Sequence, residues 1–334
     1  MTSESLQISR LPVADQQLHD DQPFPLVLGC RSPSATLADA VAWAAAERTA
    51  LIQQARTHGA VLFRDFPLSE PADFDSFVAA FELENFPYDQ SLSNAVRINY
   101  TPRIFSANEA PADVTIFLHH EMAQTPIYPG MLFFCCQIAA DDGGATPLCR
   151  SDILFAEIVA SCPEFADQCQ AKGLRYSNVM PGQNDPNSGM GRSWQSTFRA
   201  DSRAEAEQRM QSLGYSWSWT DDGCLRATTP VLPAVKTAAN GKPVFFNQLI
   251  AAFQGWKDSR NDPTQSITFG DGTRLDRDTV IKVAELAEQL TFEIPWQAGD
   301  LALVDNVLVM HGRRTFRGKR KILASLADAQ PNHM

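Results

Sequence analysis

His119, Glu121 and His311 are the residues whose types and spacing could hold a reactive metal in this chain. They sit in Leu118-His119-His120-Glu121-Met122 and, almost two hundred residues later, in Val309-Met310-His311-Gly312-Arg313. Two imidazoles and one carboxylate make up the facial triad of non-haem iron sites, which leaves coordination positions open for oxygen and substrate. Of the six histidines, His19 lies in a polar N-terminal stretch, His58 closes a helical pattern before Gly59, and His333 is penultimate. That leaves His119, His120 and His311. Val114 to Glu121 reads as a strand, where side chains at i and i+2 share a face. His119 and Glu121 are therefore expected to point one way and His120 the other. A lone His-x-Glu is common, so the weight falls on its C-terminal context.

There, Leu301 to Met310 is a mostly apolar run with a polar break at Asp305-Asn306, as a pair of buried strands would require. His311 ends it. Lys319, Arg320 and Lys321 then open the apolar stretch Ile322 to Leu326. A cation at the start of one strand beside a histidine at the end of its neighbour could hold a carboxylate next to a metal. Arginine suits this job because its planar fork pairs with both oxygens. Arg320 can equally be a solvated charge protecting a sheet edge. Gly143-Gly144 reads first as a hairpin turn, and Thr146 just beyond it could offer a hydroxyl to a bound acid or merely favour the strand.

The positioning elements follow from patterning. Residues 1 to 35 are polar and read as a wrapping arm. Thr36 to His58 is alanine-rich with helical spacing and stops at Gly59. Val61 to Phe66 reads as a strand and Ser69 to Phe81 as a helix, and strands dominate from Val96 to Cys149. Helices are expected at Asp152 to Ser161, Pro163 to Lys172, Ser202 to Leu213 and Thr279 to Gln289. Strands are expected at Ser216 to Trp219, Leu225 to Thr229 and Val244 to Leu249. Candidate ligands on strands at opposite ends of the sequence suit an α+β, mainly β fold with a distorted double-stranded β-helix, or jelly-roll, core and flanking and inserted helices. The expected organisation is one catalytic domain over 36–334 with an insertion at about 150–290.

With 44% hydrophobic residues the chain can bury a substantial core. The net charge of −11 argues against nucleic-acid binding, which needs a basic face. Seven cysteines without a C-x-x-C pair argue against a disulfide framework and for a reducing, cytoplasmic setting. No window is long and apolar enough for a membrane span, and no secretory signal is visible.

Taken together, these strings resemble the iron(II)- and 2-oxoglutarate-dependent dioxygenases of the taurine dioxygenase (TauD/TfdA) type, in their clavaminate synthase-like branch. The resemblance is carried by Gly59 to Phe66, Ser106 to Ala110, His119 to Gln124, Gly143 to Thr146, Gly191 to Phe198, Phe245 to Gln248, Asn261 to Gly272 and His311 to Arg320. It implies that His119, Glu121 and His311 bind Fe(II), that Thr146 and Arg320 hold 2-oxoglutarate, and that O2 is the oxidant. Lys321 is the competing cosubstrate ligand. The implied reaction couples decarboxylation of 2-oxoglutarate to succinate and CO2 with hydroxylation of a C–H bond in a small, polar, amino-acid-like substrate. Such proteins often carry a second arginine four residues past the cosubstrate arginine; position 324 here is alanine, which counts against a sulfonate-like substrate. Asn108, Arg192 and Asn247 are the candidate substrate contacts, with Trp194 and Gln248 beside them, and each has a structural alternative in a turn, a surface charge or the core. Two rival readings are a zinc hydrolase, which would leave Thr146 and Arg320 idle, and a ligand-binding jelly roll without chemistry.

Overall fold

In the computed structural model, which describes residues 6–93, 95–185, 187–188 and 190–333, two sheets face one another. The larger has seven strands in the order Ile8–Arg10, Leu26–Cys30, Ala60–Arg64, Leu301–Asp305, Ile127–Ile138, Lys321–Pro331 and Phe105–Ser106. The smaller has four, in the order Thr291–Ile294, Thr146–Arg150, Val309–Arg313 and Ile116–His119. All pairings in the two sheets are antiparallel except that of Leu26–Cys30 with Ala60–Arg64.

Side-chain alternation explains this layering. Leu62, Leu132, Phe134, Ala302, Val304, Ile322 and Ala324 of the large sheet meet Leu148, Phe292, Ile294 and Val309 of the small one in a shared core. The intervening residues Val61, Phe63, Met131, Phe133, Leu301, Leu303 and Leu323 point outward into a second core. Period-two alternation of this kind puts successive side chains on opposite faces. Because both faces are covered, the runs read as continuous apolar sequence.

The outer face of the large sheet is covered by the helices Leu37–His58 and Pro71–Ala79. The first starts with a reciprocal capping box between Thr36 and Asp39, ends at Gly59 with φ +86°, and buries Ala40, Ala44, Leu51 and Ala55. Those alanines share one stripe and let the helix lie close to the sheet. Cys149 and Met310 on the outer face of the small sheet pack against Ser151–Ser161, Pro163–Lys172, Leu249–Gly255 and Arg277–Gln289. A third sheet, Ser216–Trp219, Leu225–Thr228, Leu174–Met180 and Ile267–Phe269, belongs to the stretch between the strands Thr146–Arg150 and Thr291–Ile294.

Two segments away from the triad depart from the sequence expectation. The N-terminal stretch contributes Ile8–Arg10 and Leu26–Cys30 to the large sheet instead of only wrapping around it. The strand expected over Val244 to Leu249 shrinks to Pro243–Val244, and Leu249 begins a helix. Asn247 is the reason: its side-chain carbonyl accepts the Leu249 N–H at 2.9 Å, a local bond that breaks an extended ladder.

Candidate active site

His119 and His311 are direct cross-strand partners in the small sheet, and their rings lie 4.4 Å apart. Strand register alone therefore sets the two imidazoles side by side on the face toward the large sheet, where Phe134 packs 4.9 Å from the His311 ring. Gly312 allows the close approach, since a Cβ there would meet the Ile116 carbonyl oxygen at 2.5 Å.

Glu121 arrives by a different route from the one its spacing implied. The strand stops at His119, and Glu121 belongs to a tight turn in which Met122 adopts φ +59°, a left-handed conformation that costs a side chain energy and persists only when its surroundings enforce it. The enforcement is visible. The Asn306 side chain accepts the Glu121 N–H at 2.8 Å and donates to the Glu121 carbonyl at 3.0 Å, while Gln248 donates to the His120 carbonyl at 3.1 Å and Asn332 to those of Ala123 and Thr125 at 3.0 Å each. Asn306 is fully buried and positions the carboxylate from 185 residues away. In the sequence it reads only as a turn residue.

Glu121 Oε2 lies 3.9 Å from His119 Nε2 and 3.6 Å from His311 Nε2. Among the described residues this is the group of three whose donor atoms fall within 4.8 Å of one another. Adjacent ligands of a six-coordinate ion stand roughly 3 Å apart for bonds of about 2.1 Å, so modest side-chain movements close the set around a cation. Protonation agrees with this use. His119 Nδ1 donates to the Phe117 carbonyl at 2.7 Å, which leaves the Nε2 lone pair facing Glu121. Burial and the neighbouring His119 bring His311 down to about 4, so its ring is neutral near pH 7. Burial disfavours the Glu121 carboxylate, but Arg97 and the two histidines outweigh it and hold the group well below the usual carboxylate range.

His120 has a different task. Its ring is fully buried, bonded at Nδ1 to the Asn306 carbonyl and at Nε2 to the Ser151 hydroxyl at 2.7 Å. A carbonyl can only accept, so Nδ1 carries the proton and Ser151 donates to Nε2. Burial lowers its pKa to about 3. The side chain ties the metal-side turn to the first turn of the helix Ser151–Ser161.

A cavity of about 50 Å³ between the sheets is lined by His119, Glu121, Thr146, His311 and Arg320, among others. At roughly 10–15 Å³ for each water it has space for a few waters or, with small adjustments, a short diacid. Arg320 donates to the Gly144 carbonyl at 2.8 Å and approaches Thr146 Oγ1 at 3.4 Å, and the Trp296 indole N–H donates to the same hydroxyl at 2.9 Å. Gly144 has φ +72°, and a Cβ there would stand 2.9 Å from Arg320 Cδ, which gives the two glycines of the turn a purpose beyond chain reversal. Burial and the nearby Arg313 bring Arg320 down to about 10, still cationic at neutral pH. Lys321 does not line this cavity; its ammonium sits over the Tyr100 ring at 4.2 Å.

A larger cavity of about 400 Å³ shares Arg97, Asn108, Ile116, His119 and Glu121 with the small one and extends to Gln124, Gln248, Trp256 and Lys257. Asn108 thus reaches both cavities, although its side-chain carbonyl already accepts the Ala110 N–H at 2.7 Å. Arg192 and Asn247 line neither. Arg192 spends its guanidinium on carbonyls of Asp89, Ser91, Ser93 and Ser196 and on two serine hydroxyls. Asn247 is wholly buried between Ala234 and Leu249. Both are framework residues here. Trp194 packs edge-on against Trp219, away from the site. Arg97, by contrast, drew no notice in the sequence, yet its Nη2 lies 3.3 Å from each Glu121 oxygen. An arginine in an irregular segment gives no spacing signal.

A two-histidine, one-carboxylate cluster at the junction of two cavities, held between facing sheets, defines the class as a metal-dependent oxygenase. The family profile of taurine catabolism dioxygenases, the TauD, TfdA family, matches residues 20–326, and the chain belongs to that family. It is 37% identical over 321 residues to a clavaminate synthase-like protein of Arabidopsis thaliana, covering 94% of this chain and 97% of the relative. A dapdiamide synthesis protein, DdaC, from Enterobacter agglomerans is 28% identical over 284 residues, covering 81% and 82%. Among solved structures, PvcB from Pseudomonas aeruginosa superposes with a TM-score of 0.57 at 15% identity, over 99% of this chain and 95% of that one. A second PvcB structure, described as an Fe, alpha-ketoglutarate dependent oxygenase, gives 0.56 at 14% identity, over 99% and 96%. No helix among the described residues is long and apolar enough to cross a membrane, and all seven cysteines are free.

Proposed function

We propose that this protein is an iron(II)- and 2-oxoglutarate-dependent dioxygenase that hydroxylates a C–H bond of a small polar, amino-acid-like substrate, releasing succinate and CO2. One observation carries the reading: the donor atoms of His119, Glu121 and His311 converge where a small cavity ending in Arg320 and Thr146 meets a larger one. A hydrolytic zinc site would leave Arg320 and Thr146 without work, and a silent binding barrel has no need of three converging donor atoms. The facing sheets are read as the distorted jelly roll of the family, residues 36–334 as one catalytic domain, and 150–290 as its insertion. Seven free cysteines, six of them buried, fit a cytoplasmic enzyme.

In this reading His119 and His311 offer their Nε2 atoms and Glu121 one charge, which leaves three coordination positions for other partners. Bound iron and 2-oxoglutarate supply the oxidising power, with O2 as oxidant. The protein's part is placement and exclusion of water. Arg320 grips the distal carboxylate of the cosubstrate through a charge-assisted pair, and Thr146 adds a hydroxyl, its orientation fixed by Trp296. Asn108 stands at the mouth between the cavities, where substrate and cosubstrate would meet. The substrate takes the larger cavity, its target carbon toward the triad, so proximity selects the bond that reacts.

Anaerobic titration of metal-free protein with Fe(II) and 2-oxoglutarate tests this directly. The expected result is a weak visible charge-transfer band that saturates at one equivalent of iron and requires both components. A folded protein that gives no band removes the dioxygenase reading.

A further inference from the structure

The guanidinium of Arg97 is held as a recognition group would be. Its side chain is 6% exposed, and it lies over the faces of Tyr88 at 4.6 Å and Phe105 at 5.4 Å. One nitrogen faces Glu121, and among the described residues Nε has no hydrogen-bond partner. Burying a cation with an unspent donor is costly unless a partner arrives. Its site borders both cavities, so a ligand in the larger one can reach it.

Charge balance indicates what that partner is. Glu121 is the counter-ion of Arg97, but on the reading above it must also neutralise a divalent metal. With metal and the cosubstrate dianion in place, the two charges of the metal, Arg320 and Arg97 exceed the three negative charges by one. Nearby groups do not remove the excess. Arg313 is hydrogen-bonded to three backbone carbonyls and faces Glu109 and Asp113. Asp258, on the wall of the larger cavity, is already spent on Arg260, Ser188 and Asn261, and Lys257 adds a further cation at the exposed rim. The loaded pocket is thus short of one anion, at Arg97. Alanine at position 324 does not leave the substrate cavity without a cation.

We propose that Arg97 binds a carboxylate of the substrate, which makes the enzyme specific for small carboxylic acids presented to the triad by their acid group. This rests on the dioxygenase reading and names its substrate class. Aromatic clamping pre-orders the fork and so lowers the entropy lost on binding. A neutral isostere would leave the cation unpaired, so discrimination against it is large.

The test uses full-length protein loaded with Mn(II) and saturating 2-oxoglutarate, with trifluoroacetate as probe and trifluoroacetamide as its uncharged match, followed by metal-induced ¹⁹F relaxation. Saturable relaxation of the acid and not the amide is expected. Arg97→Gln should weaken the acid's apparent affinity by roughly ten- to hundredfold, as loss of a charged hydrogen-bonding partner does, and Arg97→Lys should restore most of it. Equal relaxation of acid and amide in the unmodified protein overturns the proposal, and so does an undiminished acid signal in Arg97→Gln. If Arg97→Gln does not fold, the acid–amide pair in the unmodified protein and the Arg97→Lys variant still decide. Binding of Mn(II) and 2-oxoglutarate is measured first; its absence strikes the dioxygenase reading, whereas its presence without an anion effect strikes only the role of Arg97.

Discussion

The ligand end of the cavity and its outer wall are made of different material. His119, His311 and Thr146 sit on three strands of one sheet, where register pairs His119 with His311, His311 also with Leu148, and Thr146 with Ile294. The outer wall takes Asn187, Ser188 and Lys257 from loops, Gln248 and Trp256 from the caps of the seven-residue helix Leu249–Gly255, and Ala251 from the helix itself. A one-residue slip in the sheet would turn the ligands to the wrong face, so the chemistry end tolerates little change. Loops and a short helix can change length and side chains without disturbing the sheets. On the proposed function, the division puts reaction and substrate choice in separable parts of this chain, with Arg97 and Asn108, which line both cavities, at the seam.

Substitutions can break this division at several points. The largest effect is expected for His311→Ala, which should abolish the iron and 2-oxoglutarate absorption band at any attainable concentration while the far-ultraviolet circular dichroism stays that of the folded protein. Next, Arg320→Ala should raise the 2-oxoglutarate concentration for half-saturation of that band by roughly a hundredfold, the loss of a charged pair in a dry cavity. Lys321→Ala should change it by less than about twofold, and the reverse pattern would move the cosubstrate contact by one residue. His120→Ala should lower unfolding free energy in urea by about 2–4 kcal/mol, through the void and the unpaired Ser151 and Asn306 groups, yet keep the band; a lost band in folded protein would make His120 a ligand. Smallest, Arg192→Ala should cost about 1–3 kcal/mol in the same urea experiment and leave the iron and cosubstrate titration unchanged, because its bonds brace the 89–93 segment and not the ligand end.

The sequence was most legible where periodicity and residue type coincide. Pro163–Lys172 and Ser216–Trp219 fall on their expected boundaries, since cap, proline or aromatic alternation marks each end. His119, Glu121 and His311 do come together, but for Glu121 the i, i+2 argument reached the right neighbourhood by the wrong geometry: a left-handed turn at Met122, not a strand, delivers it. Local pattern holds no record of Asn306 folding that turn, because the bond spans 185 residues. Arg97 was hidden for another reason: it is only 24 residues from Glu121 but lies in an irregular segment that carries no periodic signal. At Asn247 a single side-chain bond to the backbone replaced the second half of an apolar strand with a helix. Arg192 looked like a pocket residue by its place in a shared string, and only its hydrogen bonds reveal a brace.

The cross-strand pairing of His119 with His311 also sets a clock on biosynthesis. An emerging chain carries His119 and Glu121 for almost two hundred residues before their partner strand exists, and Arg320 follows later still. On the proposed ligand set, a half-made polypeptide therefore owns two of the three donors but no site, and long-range strand pairing of this kind forms late. Iron capture would then report that translation and sheet closure are complete, and a chain truncated before residue 311 should leave the metal in solution.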